Sequence, residues 1–186
     1  ERAYSGFQHV RRYNKKENIL DFKVAWDISE QRYFTDVEMT PATRHRELGL
    51  YHKQVKLFLE AFENVHVIIY DDYKMNFQLE MNKLFDFLNI KKIIIDDNKK
   101  HMVGGWQWKN EKHKEMISSN SFVKSAGRLM MPKGLRRMIL AMIKKCYTVK
   151  SAELSNQDRE MLRTFYKEDV KQLSCLLKRD LNYWTE

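Results

Sequence analysis

The stretch Val65–Asp72, VHVIIYDD, decides how the chain is read. Val65, Val67, Ile68 and Ile69 are β-branched, and the run is apolar nearly throughout. It is too short for a helix and does not alternate with polar residues. Such a run reads as a strand buried on both faces. Before it, HRELGLYHKQVKLFLEAFE (45–63) puts Leu48, Tyr51, Val55, Phe58 and Phe62 on one helical stripe. After it, Phe77, Met81, Leu84 and Leu88 fall in helical phase. A helix, a buried strand and a second helix predict an α/β arrangement.

Outward from this unit the signals are shorter. NIKKIIIDDNKK (89–100) reads as a second short strand or an extended loop. HMVGGWQWKNEKHKE (101–115) is an aromatic, basic, glycine-containing loop leading into a helix. KSAGRLMMPKG (124–134) is another basic turn, with Pro132 just before a helix start. The helix from Lys133 to Cys146 is expected to pack Leu135, Met138, Met142 and Cys146. Ser155 and Asp158 make a capping box for the last long helix. That helix buries Leu162, Phe165, Val170, Leu173 and Leu177 in this reading.

On the N-terminal side, residues 15–43 are irregular, with a short helix expected around Val24–Tyr33. ERAYSGFQHVRR (1–12) reads as an amphipathic helix with Ala3, Phe7 and Val10 inward. Its other side carries Arg2, Ser5, His9 and Arg12, which share one face.

The length of 186 residues suits one domain, 1–186. A hydrophobic share of 43% excludes a disordered chain. No run is long and apolar enough for a membrane span. Two prolines and six glycines favour long helices over tight meanders. Cys146 and Cys175 lie far apart in helical patterns, which predicts reduced, buried thiols and a cytoplasmic setting; a Golgi-lumenal domain is the alternative. The net charge of +9 favours anionic partners without choosing among them.

Three stretches, in order, resemble the sulfotransferases that use 3′-phosphoadenosine-5′-phosphosulfate (PAPS). ERAYSGFQHVRR is similar to the family's helix after its third core strand, in the form found in carbohydrate-type members. GLYHKQVKLFLEAFENVHVIIYDDYKMNFQLEMNKLFDFLNI (49–90) resembles the family's helix, acid-ended strand and following helix. LSNQDREMLRTFYKEDVKQLSCLLKRDLNYW (154–184) resembles its closing helix and terminal tryptophan. Carbohydrate, heparan-type and bacterial members are all compatible. The resemblance implies a P-loop-NTPase-like α/β fold, mostly helical here with a few parallel strands. It implies transfer of a sulfuryl group from PAPS to a hydroxyl or amine, with adenosine 3′,5′-bisphosphate as product. The acceptor it suggests is a carbohydrate.

In this family the serine of the opening helix binds the donor's 3′-phosphate, which implies that role for Ser5. Helix-start amides and guanidinium groups beside it suit a phosphate, so Arg2 and Arg12 join it as candidates. His9, one turn on, is a candidate proton carrier. The family also closes a late loop over the donor. GGWQWKN offers Gly104, Gly105, Trp106 and Lys109 for it; KSAGRLMMP offers Arg128, with Ala126 where a lysine is common. Asp71 and Asp72 read as structural acids that order the turn after their strand.

None of the glycines belongs to a G-x-x-x-x-G-K-(S/T) pattern. The resemblance therefore places the 5′-phosphosulfate loop, a further arginine and the catalytic base before residue 1, and it implies that these 186 residues alone are inactive. No spacing suggests a metal site, and the chemistry implied needs none. A homo-oligomer is compatible with this reading. The competing reading is a basic helical module without catalysis. In it Lys133, Arg136, Arg137, Lys144 and Lys145 bind nucleic acid or an anionic surface.

Overall fold

The computed structural model describes residues 1–13, 19–35, 41–96, 104–118 and 132–186. They form two compact units, Glu1–Tyr51 with Gly104–Glu186, and His52–Val103.

The first unit opens with helices α1 (Arg2–Tyr13), α2 (Phe22–Asp27) and α3 (Ser29–Thr35). One helix was expected around Val24–Tyr33; the structure has two, separated at Ile28. Asp21 starts α2 by accepting the Val24 N–H on its side chain at 2.9 Å, so it satisfies a donor the helix cannot. Two 3₁₀ turns follow, Pro41–Thr43 and Glu47–Gly49.

The later part of this unit begins with strand β1 (Trp106–Trp108). Helices α7 (Glu111–Ser118) and α8 (Lys133–Tyr147) follow, then strand β2 (Thr148–Lys150). Helix α9 (Asn156–Leu177) and a 3₁₀ turn at Asn182–Trp184 close the chain. In α9 the expected capping geometry is present. Ser155 Oγ accepts from the Asp158 N–H at 3.0 Å and donates to the Asp158 carboxylate at 2.6 Å.

The core gathers Ala3 and Phe7 of α1, Phe22, Ala25 and Trp26 of α2, and Leu162 of α9. Its rings meet edge-on or tilted, as aromatic quadrupoles prefer: Tyr4–Phe22 at 5.2 Å, Phe7–Phe22 at 5.5 Å, Trp26–Phe165 at 5.1 Å. Full burial of one such ring contributes about 1.5–3 kcal/mol. Gly49 lies so close under Tyr166 that a Cβ there would sit 2.6 Å from the ring. Glycine is what permits that approach, and the Tyr166 hydroxyl then reaches the His45 and Arg46 carbonyls at 3.1 and 3.0 Å.

The second unit holds α4 (His52–Ala61), α5 (Tyr70–Met75) and α6 (Phe77–Phe87). Asn76 caps α6 at Leu79 N. Gln78 brackets the extended run after that helix, donating to Ile93 O at 3.0 Å and accepting from Ile95 N at 3.1 Å.

Several expectations are corrected. Residues 64–69 carry no strand pairing, and the helix α5 begins at Tyr70. β-branched side chains favour extended backbone, but a strand also needs a ladder partner, and the described residues supply none here. Asp71 and Asp72 stand in the first turn of α5 rather than at a strand end, where helix-dipole electrostatics favours acids. Among the described residues the pairing is antiparallel rather than the expected parallel one and lies elsewhere in the chain, with Trp106 opposite Lys150 and Trp108 opposite Thr148. The helix expected from His45 starts only at His52, because 47–49 tighten into the 3₁₀ turn under Tyr166. Phe58 and Phe62 on its stripe are exposed. In α6 the buried ring is Phe85, while Leu88 is exposed. Leu135, Met138, Met142 and Cys146 of α8 are exposed rather than packed. Both cysteines are free and exposed, not buried. Phe165 is likewise more exposed than its place in the α9 stripe suggests, whereas Leu162, Val170 and Leu173 are buried as expected. Among the described residues, no helix is long and apolar enough to cross a membrane.

Candidate functional site

The polar face of α1 divides along its length. Arg2 and Ser5, in the first two turns, are exposed. His9, one turn later, is half-buried with its ring 4.8 Å from that of Tyr13. Arg12, in the last turn, is 6% exposed. From Ser5 to Arg12 the helix rises about 10 Å, so the two groups belong to opposite ends of the element. Helical periodicity thus puts the four residues on one face, and packing separates their environments.

At the far end, Arg12 meets β1. Its Nη1 donates to Trp106 O at 3.3 Å, and its guanidinium lies 5.4 Å from the centre of a Trp106 ring. Trp108 Nε1 donates in turn to Arg12 O at 3.1 Å, which satisfies one of the carbonyls left over at a helix C-terminus. Burial lowers the Arg12 pKa below its ordinary value. Tyr13 and Trp108 both set rings edge-on to Trp106, at 6.2 and 5.2 Å. Trp106 is therefore held between neighbours.

Gly104 and Gly105 lead into β1 with their backbone exposed. Gly105 has φ +78°, a left-handed conformation suited to glycine, and its carbonyl accepts from Ser151 N at 3.0 Å. Lys109 leaves the strand exposed, its N–H donating to Tyr147 O at 2.9 Å. The structure thus brings Gly104, Gly105, Trp106 and Arg12 together. Arg128 and the rest of 124–131 lie outside the described residues, as do the side chains of Lys133, Arg136, Arg137 and Lys144.

Some of the neighbourhood had no strong signal in the sequence. Tyr4 Oη and Gln8 Nε2 of α1 both donate to Ala152 O, at 2.8 and 3.2 Å. A backbone carbonyl in a loop carries no side-chain signature. Glu111 receives Lys114 at 3.1 Å and Arg11 at 3.7 Å. The i, i+3 spacing of Glu111 and Lys114 was the available clue; the long-range arginine was not visible. A cavity of about 10 Å³ lies among Arg11, Arg12, Gln107, Trp108 and Glu111, room for about one water. Among the described residues, no group of three His, Cys, Asp or Glu side chains is placed to hold a metal ion.

The exposed donors, a hydroxyl, a guanidinium, a lysine and glycine backbone, are the chemistry of phosphate and sulfate recognition. The buried Arg12 does not present itself to such an anion. No curated protein matches the chain. A sulfotransferase from Alicyclobacillus acidocaldarius, known from its crystal structure, is similar in fold at 21% sequence identity and a TM-score of 0.64. The match covers 99% of this chain and 53% of that one, so the chain spans about half the length of that structure. The sulfotransferase domain family matches residues 1–174, and the chain belongs to that family.

Proposed function

We propose that this chain supplies part of a sulfotransferase domain, and that the complete protein transfers a sulfuryl group from PAPS to a hydroxyl or amine, with a carbohydrate as acceptor. The donor supplies the activated sulfuryl group, and the residues here hold and orient it. Ser5 would donate a hydrogen bond from its hydroxyl to a 3′-phosphate oxygen, and Arg2 would add a charge on the same exposed face. The backbone of Gly104 and Gly105, with Lys109, offers further donors to the nucleotide's anionic groups. Trp106 acts through packing, because its ring is already held by Arg12, Tyr13 and Trp108. His9, half-buried one turn beyond Ser5, is the proton carrier this helix offers. Positioning and electrostatic stabilisation account for most of the rate in such a transfer. A cytoplasmic setting is part of the same proposal.

The observation that carries the reading is the exposed hydroxyl of Ser5 on the opening helix of a chain that the sulfotransferase domain family matches from residue 1. A charge-assisted hydrogen bond contributes about 1.5–3 kcal/mol. In the complete protein, Ser5→Ala should therefore raise the Kd for adenosine 3′,5′-bisphosphate about ten- to hundredfold by calorimetry. An unchanged Kd removes Ser5 from the site.

A further inference from the structure

We infer that Arg12 is a positioning residue: it clamps the Gly104–Trp108 segment onto α1 and so fixes the exposed glycine backbone beside the helix that carries Ser5. The inference rests on the nucleotide-donor reading above and gives one of its arginines a different task.

Arg12 is 6% exposed, so its guanidinium is withheld from a ligand in solvent. The cavity beside it, about 10 Å³, is too small for a phosphate group. What the side chain does touch belongs to one segment. Nη1 donates to Trp106 O, the guanidinium faces a Trp106 ring at 5.4 Å, and the position of a Cβ on Gly104 would lie 3.6 Å from Nη1 and 3.8 Å from Nη2. The Arg12 backbone holds the other end of the strand through Trp108 Nε1. One residue thus holds the segment at two places, Trp106 and Trp108, with its guanidinium lying alongside Gly104.

The contacts need an arginine. A planar guanidinium can donate in its plane and lie against a ring at once, which an ammonium cannot do. Its partners are a carbonyl and a ring rather than a carboxylate, so the charge remains costly to bury. An apolar side chain of similar length would fill the space without that cost. Stability alone therefore does not account for an arginine here, whereas placement of the glycine segment does.

The test uses adenosine 3′,5′-bisphosphate as probe, with the complete protein, calorimetry and thermal melts. Arg12→Met should melt no lower than the parent yet raise the Kd about tenfold, comparable to the loss of one hydrogen bond. Arg12→Lys should fail to restore affinity. Trp106→Ala should weaken binding to a similar extent, and combining it with Arg12→Met should add little, the signature of two residues acting through one contact. The indoles of Trp106 and Trp108, 5.2 Å apart and perpendicular, give a ligand-independent readout: their exciton couplet in circular dichroism should weaken in Arg12→Met. If Arg12→Met does not fold, Arg12→Lys and Trp106→Ala decide the matter. Parent-like affinity in folded Arg12 variants overturns the inference while leaving the nucleotide reading intact. A parent protein that does not bind the bisphosphate overturns both.

Discussion

His45 is fully buried, with the Phe7 ring edge-on at 5.7 Å. Neither of its ring nitrogens has a hydrogen-bond partner among the described residues. Burial, assisted by the charge of Arg32, pushes its pKa down to about 4. The folded protein therefore keeps this imidazole neutral, whereas the unfolded chain protonates it near 6.5. Between those values the unfolded state binds more protons, so stability falls as the pH drops from 6.5 towards 4. The loss from this one group is about 3 kcal/mol across that window. Urea unfolding at several pH values should show His45→Gln with a shallower decline there than the parent; equal slopes would mean that His45 does not titrate this way. At this scale the sequence was legible where periodicity alone decides exposure. It put Ala3, Phe7 and Val10 inward on α1, and they are buried. It could not separate Ser5 from Arg12 on the opposite face, because β1, far along the chain, is what buries the arginine. His45 gave no signal either, since its burial depends on α1 packing against the turn that carries it.

At the scale of elements, α9 shows a local signal surviving into the fold. Ser155 satisfies the Asp158 N–H at the helix start, and the Asp158 carboxylate accepts from the Ser155 hydroxyl and holds it in place. Ser155→Ala should cost about 1 kcal/mol, read as a lower denaturant midpoint with an unchanged slope; Ser155→Asp should recover most of it. At the other end of α9 the chain turns through Lys178 at φ +50°, with its N–H returned to Cys175 and Ser174 carbonyls. Elements that depend on distant partners were harder to read. Val65–Ile69 has the composition of a strand, yet pairing is a relation between segments and composition describes only one of them. The 45–63 stripe was continuous in periodicity, but the chain tightens at Gly49 because Tyr166, over a hundred residues later, occupies the space beside it. The antiparallel pairing of β1 with β2 had no local signature at all; it joins segments that have α7 and α8 between them.

Over the whole molecule, the net charge of +9 and the exposed donors on α1 and before β1 agree with an anionic ligand. The joint order of three short motifs carried the family reading, and the match over residues 1–174 bears it out. The fold agrees at the level of the whole chain, with 99% of it superposed on a sulfotransferase structure. The central claim concerns where the nucleotide sits. A crystal structure of the complete protein with adenosine 3′,5′-bisphosphate measures that directly. It should place a 3′-phosphate oxygen about 2.5–3 Å from Ser5 Oγ, within hydrogen-bond distance, with Arg2 alongside. A nucleotide bound instead against the open apolar hollow of Met161, Thr164 and Phe165 on α9, or anywhere that leaves Ser5 in contact with solvent alone, would contradict the account.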